Sequence, residues 1–363
     1  MSEFEQKQAV IQALLEKHHL DALLLKKTSS FAWATCGAAS YINTASTYGE
    51  AQLLISRSGR YLITNNIEIT RLEKEQGLNR KDWEFCIAPW YQENPALAKL
   101  TSGLRLGADA PHAGALDLSD EMARIRSCLL PEEHERYRKL GRLTAEALHA
   151  AVLAVRPGQN EYEIAARLSS EAQQRFIQPS VVLVASDKRI FEHRHPLPAD
   201  KKVERYAMLI MCCRYKGLIS SNTRLVHFGR LPDELRHKAN VLAKIDATVI
   251  DATRPGVALS EVFHKLQAAY AEAGFPDEWQ LHHQGGPASY EPREWLATPD
   301  TKDVVTVGQV YAWNPSITGT KSEDTILVGS TENEVITGFP DWPTITVEVG
   351  GKTYQRPDIL EII

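Results

Sequence analysis

No run of the 363 residues approaches the length and apolarity needed to cross a bilayer. The opening MSEFEQKQAV has acids and amides where a secretory leader needs a basic end and an unbroken apolar stretch. Both absences lead to the expectation of a cytoplasmic protein. Cysteine is scarce: Cys36, Cys86, Cys128, Cys212 and Cys213 make an odd number without C-x-x-C spacing, which excludes a disulfide framework and fits reduced thiols. Charge of one sign is missing as well. The formal net charge is −5, and lysine and arginine are nowhere dense enough to follow a phosphate backbone or an anionic bilayer, which argues against nucleic acid and membrane as partners. No short repeat is visible, and 43% hydrophobic with 24% charged residues is the make-up of an ordinary folded chain rather than a disordered one.

The length exceeds what one small core fills, so two domains are expected. Apolar residues recur at helical spacing from Phe4 to Lys17, and Ala22–Leu25 reads as a buried strand. Further strands are expected at Ala51–Ile55, Arg60–Thr64, Trp83–Ala88 and Leu104–Ala108, with Ser56–Gly59 as a hairpin turn. This is an α/β domain with a mixed sheet, residues 1–120, whose boundary falls near residues 115–130. Pro131 then opens a long helix with acids in its first turn and Arg156-Pro-Gly as its stop. Helices at Glu161–Phe176, 232–252 and 259–274 alternate with strands at Val181–Ala185, Ala207–Cys213, Leu218–His227, 306–314 and 323–328. That order implies an α+β domain over 125–363, a curved antiparallel sheet covered on one side by helix pairs.

Four segments carry chemistry. The strand-hairpin AMLIMCCRYKGLISSNTRLVHFG holds Gly217 in its turn and Thr223-Arg224 in its second strand. LHHQGGP holds His283 and Gly286; Ala312-Trp-Asn-Pro315 and Ser322-Glu-Asp-Thr325 follow. In this order they resemble the motifs of the pita-bread peptidase family, which includes methionine aminopeptidase, Xaa-Pro aminopeptidase, prolidase and creatinase. The resemblance covers residues 125–338, and residues 1–115 resemble more weakly the N-terminal domain of the prolidase and creatinase branch. It implies a pita-bread (creatinase/aminopeptidase-like) C-terminal domain and five ligand positions for two metal ions. Counting back from Thr223-Arg224, these fall on Met211, Asn222, His283, Asn314 and Glu323. Only His283 and Glu323 keep the family's residue types, and the hairpin between the last two strands is shorter than in family members.

Two divalent ions a few ångströms apart need several anionic oxygens. One carboxylate, two neutral amides and a soft thioether do not supply them, so no dinuclear centre and no cofactor are expected. A single metal on Cys213, His283 and Glu323 is the open alternative, since residues 211 and 213 share one strand face; the bland reading makes Cys212 and Cys213 core residues. The resemblance also implies a non-ligand histidine facing the scissile bond, placed by spacing at His193. His195 and His282 are expected to point elsewhere.

The expected function is metal-independent hydrolysis of a C–N bond in a peptide, amide or guanidino small molecule, as in creatinase. His193, His283 and Glu323 are the catalytic candidates, with Asn222, Asn314, Arg224 and Tyr290 on the substrate wall. The competing readings are a non-catalytic peptide- or metabolite-binding pseudo-peptidase and a metallo-aminopeptidase with an altered mononuclear site. The prolidase and creatinase branch implies a homodimer. The segment from Trp342 to Tyr354 reads as a β-hairpin past the usual family end, covering an edge or a dimer contact.

Overall fold

Ser2 and Glu5 close a capping box on the first helix, α1 (Glu3–Lys17): Glu5 N donates to Ser2 Oγ at 3.2 Å and Ser2 N to Glu5 Oε2 at 2.8 Å. The computed structural model describes residues 1–363. These divide into two compact units, residues 1–126 with 216–218, and residues 127–215 with 219–363.

In the first unit the strands β1 (Ala22–Lys27), β2 (Tyr48–Ser56), β3 (Arg60–Asn65), β4 (Glu84–Ala88), β5 (Leu106–Ala108) and β6 (Leu116–Asp117) form one sheet in the order β4-β3-β2-β1-β5-β6. The sheet is mixed: β1–β2 and β2–β3 are antiparallel, β3–β4, β1–β5 and β5–β6 parallel. Ala22, Leu24, Leu54, Ile63, Leu106 and Ala108 pack as one buried cluster. Four helices join α1 here: α2 (Thr28–Ala34), α3 (Ile69–Lys74), α4 (Pro95–Thr101) and α5 (Ser119–Ser127). The short buried α2 gives no periodic signal, because all seven of its residues are covered.

The second unit opens with α6 (Pro131–Leu153), which has Pro131 at its first turn, and α7 (Glu161–Gln174), which is capped by Asn160. Next come β7 (Gln178–Ser186), the single turn α8 (Lys188–Glu192), and the long strands β8 (Tyr206–Tyr215) and β9 (Leu218–Phe228). The helices α9 (Asp233–Ala252) and α10 (Leu259–Glu272) precede the short strands β10 (Gly285–Ala288), β11 (Val310–Trp313), β12 (Ser316–Ile317), β13 (Thr320–Lys321), β14 (Asp324–Leu327) and β15 (Glu334–Val335). The hairpin β16 (Thr344–Val349) and β17 (Lys352–Pro357) and the strand β18 (Leu360–Ile362) close the chain.

Two four-stranded sheets result, β18-β9-β8-β7 and β10-β11-β14-β15. They meet where Thr223 N donates to Glu323 O at 3.1 Å. Behind the second sheet, α9 and α10 bury Leu242, Val249, Phe263 and Leu266 against Tyr311, Trp313 and Ile326. The edge of β9 is covered by β18, which runs parallel to it with Leu360 opposite Val226.

Candidate active site

Glu323 lies at the junction of the two sheets, 3% exposed. Its Oε2 accepts from Thr223 Oγ1 at 2.6 Å and pairs with Lys321 Nζ at 3.2 Å, while its Oε1 accepts from Arg293 Nη2 at 3.1 Å. Burial raises this carboxyl, but Lys321 and Arg293 outweigh burial and hold it at about 2. Neither base figured in the expected site. The period of two puts Lys321 on the same strand face as Glu323, a signal the sequence offered. Arg293 sits in the loop after β10, where no periodicity applies.

Strand alternation corrects two expected positions. On β9, Thr223 bonds Glu323, and Ser221 Oγ accepts from Arg293 Nη1 at 3.3 Å, so residues 221 and 223 face the site. Ser220 Oγ shares a 2.7 Å hydrogen bond with Thr144 of α6, so residues 220 and 222 face the helix. Asn222 therefore points away from Glu323. On β8, Cys212 Sγ lies 3.1 Å from Ser221 Oγ, whereas Cys213 bonds Thr144; Met211 shares the helix-facing side with Cys213. Counting back from Thr223-Arg224 lands one residue off, and in a strand one residue reverses the face. The side chains that do face the site there are Cys212 and Ser221. Burial drives the Cys212 thiol up to about 11, which keeps it protonated.

His283 arrives on the turn before β10. Gly285 has φ +114°, and a Cβ there would run into the Ala312 carbonyl oxygen of β11, so only glycine lets this turn pack on the sheet. The His283 ring lies 4.3 Å from that of His282 and 5.4 Å from that of His195. His282 Nε2 and His195 Nε2 share a 2.9 Å hydrogen bond. Burial, then Lys321, holds His282 at about 2; burial, then Arg293, holds His283 at about 4. Burial and Lys321 lower His195 as well. Asn314, 2% exposed just past β11, leaves its Oδ1 without a partner, and so does His283 Nδ1.

His195 and His282 thus belong to the cluster, and His193 does not. The His193 imidazole is 49% exposed at the end of α8, with Nε2 4.0 Å from Glu192, its neighbour in the chain. Arg224 and Tyr290 are not on a substrate wall either. Arg224 is 4% exposed and donates to Asp324 Oδ1 at 2.9 Å, to the Thr223 carbonyl at 2.7 Å and to the Thr337 carbonyl at 3.1 Å. Tyr290 is buried, and its hydroxyl donates to Glu133 Oε1 at 2.6 Å. Both side chains hold the scaffold. The Glu323 carboxylate bonds Thr223, Lys321 and Arg293 rather than a histidine.

Residues 135–330, more than half of the chain, match the family model of metallopeptidase family M24. The chain belongs to metallopeptidase family M24. An uncharacterized peptidase of Staphylococcus aureus (strain MW2) is 22% identical over 235 residues, covering 62% of this chain and 66% of the relative, just under two thirds of its length. In three dimensions the chain resembles the prolidase of Pyrococcus horikoshii OT3, with TM-score 0.79 at 20% identity over 92% of this chain and 98% of that one. It resembles equally an Xaa-Pro dipeptidase from Bacillus anthracis, with TM-score 0.79 at 18% identity over 99% and 100% of the two chains. A third likeness is the N-terminal domain of FACT complex subunit SPT16 from Cicer arietinum, with TM-score 0.70 at 14% identity over 93% and 96%. The fold is that of the M24 peptidases, with an α/β N-terminal domain and an α+β pita-bread C-terminal domain. No helix is long and apolar enough to cross a membrane.

The M24 name implies metal; ligand atoms of His195, His282 and His283 lie within 4.8 Å of one another and could hold a single ion, but the residues around Glu323 do not fit a dinuclear centre. Both oxygens of the one carboxylate are engaged by cationic side chains, Cys212 is protonated, and Cys213 is turned to α6. Divalent ions would meet two positive charges and a single negative one.

The same electrostatics set an acid limit on stability. Folded His282 and His283 titrate at about 2 and about 4 against an ordinary 6.5, and Glu323 at about 2 against an ordinary 4.5. At each group the unfolded chain binds the proton first as pH falls, so stability is complete above the unfolded values and is lost below them. Thermal denaturation followed against pH should show Tm falling first below about 6.5 and more steeply below about 4.5. Glu323→Gln should lessen the steepening below about 4.5 and keep the upper phase; an unchanged slope there would assign the steepening elsewhere.

Proposed function

We propose that this M24 chain hydrolyses a C–N bond in a small peptide, amide or guanidino compound without a metal ion. The observation that carries the reading is the replacement of metal charge by side-chain charge: Lys321 and Arg293 hold Glu323 beside three histidines, two of them neutral well into the acid range. Fixed cations and hydrogen-bond donors in a dry site can polarise a carbonyl or amidine as a Lewis acid would. His195, the exposed member of the cluster, is the group able to take a proton from water and return it to the leaving nitrogen, with His282 orienting it.

Purified without added metal, the protein should hold substoichiometric transition metal by elemental analysis and run as a homodimer by light scattering. Turnover found in a screen of Xaa-Pro dipeptides, small amides and guanidino compounds should be indifferent to chelators. Two equivalents of bound metal, or activity abolished by chelation, would overturn the metal-free mechanism.

A second reading, a peptide- or metabolite-binding protein without turnover, is favoured by one observation. His282 and His283 are held so far below neutrality that they are poor proton carriers at physiological pH. Saturable binding at the same residues with no turnover in that screen would select it.

A further inference from the structure

The charge at the sheet junction does not balance. Lys321, its side chain 5% exposed, pairs with Glu323, and Arg293, 9% exposed, shares the same carboxylate. The neighbouring buried acids are already matched: Asp324 by Arg224 and Arg356, Asp246 by Arg356. Glu294 turns its Oε1 to Ser289 Oγ and Tyr290 N. Two buried cations thus face one carboxylate, and a buried charge left uncompensated is costly.

Hydrogen bonding is also incomplete, independently of charge. Arg293 Nε is buried and has no acceptor, although Nη1 serves Ser221 and the Pro292 carbonyl and Nη2 serves Glu323. An ammonium has three donors, and Lys321 directs one toward Glu323. On the acceptor side, Asn314 Oδ1 is unpartnered, and so is His283 Nδ1, a donor or an acceptor according to the tautomer. Buried polar atoms left without partners in a native fold point to a missing ligand or water. Here an unused donor belongs to the Arg293 cation, and the unused amide acceptor, Asn314 Oδ1, is neutral.

We propose that the junction where the M24 fold is named for metal is in this chain an anion site, taking a small monoanionic carboxylate against Lys321 and Arg293, with an adjacent N–H of the ligand donating to Asn314. One negative charge neutralises the excess, the free Arg293 Nε–H and the Lys321 ammonium supply charge-assisted donors, and Asn314 Oδ1 takes the N–H. This names the substrate class of the hydrolase reading and rests on it only for turnover. Binding is a separate measurement.

The test is calorimetric titration of the full chain with N-acetylglycine, its neutral counterpart N-acetylglycinamide, and zinc. N-acetylglycine should bind, and the amide should bind about tenfold to a hundredfold more weakly, the worth of one charge-assisted contact. Lys321→Met should weaken N-acetylglycine by a similar factor. Glu323→Gln removes the competing carboxylate and should tighten N-acetylglycine, a gain that a damaged fold does not produce. Equal affinity for acid and amide, no binding of N-acetylglycine at millimolar concentration, no tightening in Glu323→Gln, or stoichiometric zinc in the wild type would each overturn the proposal. Binding of the acid with no turnover of any compound would leave the anion site standing and remove the hydrolase reading. Turnover of neutral amides with no preference for acids would do the reverse.

Discussion

Replacing Arg356 by methionine should destabilise the second unit by about 3–5 kcal/mol, the cost of leaving the buried Asp246 carboxylate without its cation. Arg356 is 2% exposed and reaches the interior from β17. Its Nε donates to Asp246 Oδ2 at 2.8 Å and its Nη2 to Asp324 Oδ2 at 2.7 Å. Asp246 also accepts from Ser322 Oγ, and Asp324 accepts from Arg224 and from Thr337 Oγ1 at 2.8 Å. Ser322 and Asp324 flank Glu323 in the chain, so the terminal hairpin fixes the backbone that presents the site carboxylate. Burial raises Asp246, and the attraction of Arg356 opposes that rise. Removing the guanidinium leaves the Ser322 hydrogen bond to oppose burial, and Asp246 takes a proton more readily. Chemical denaturation followed by circular dichroism should show the loss, and Asp246→Asn in the same chain should recover part of it, because one orphaned charge goes with it. A change within about 0.5 kcal/mol, the range of ordinary surface substitutions, would mean that the hairpin only covers an edge.

The elements with strong periodicity are legible in the sequence. The helix opening at Pro131 and the strand expected from Leu218 to His227 stand as α6 and β9, because their apolar spacing and their breakers agree. Elements lacking such a signal were not legible: the fully buried α2, the single turn α8, and β18, which exists only by pairing with β9. At the site, Glu323, His283 and Asn314 lay in short ordered motifs. Met211 and Asn222 came from counting along a hairpin, and such a count cannot reveal which strand face a residue takes. Ser221 could have been reached by alternation from Thr223, and Lys321 by alternation from Glu323. Arg293 could not, since a loop of irregular backbone brings it to Glu323 across 30 positions of sequence. Arg356 was equally hidden, because its value lies in two acids brought to it by α9 and β14.

His195→Ala should lower kcat on whatever C–N substrate the wild type turns over by about a hundredfold to ten-thousandfold, the usual worth of one general acid–base group. Three imidazoles compete for that role, and their surroundings separate them. His282 and His283, at about 2 and about 4, are bases too weak to hold a proton near neutrality. His195 is exposed, and its lowering by burial and Lys321 is opposed by Glu323. Its Nε2 faces His282 Nε2 at 2.9 Å, so with both rings neutral one nitrogen donates and the other accepts. His282 Nδ1 is buried without a partner. The tautomer that leaves no orphaned N–H puts the proton on His282 Nε2, so that His282 donates to His195 and orients it. A merely structural His195 would change stability and KM. A proton carrier should instead remove the acid limb of the kcat/KM profile and permit partial rescue by added imidazole. His193→Ala, which alters an exposed ring beside Glu192, should leave both kcat and the profile as in the wild type. If His193→Ala and His195→Ala lost activity equally, or if the acid limb survived in His195→Ala, the proton would have to travel by another route and the histidine cluster would be left with binding alone.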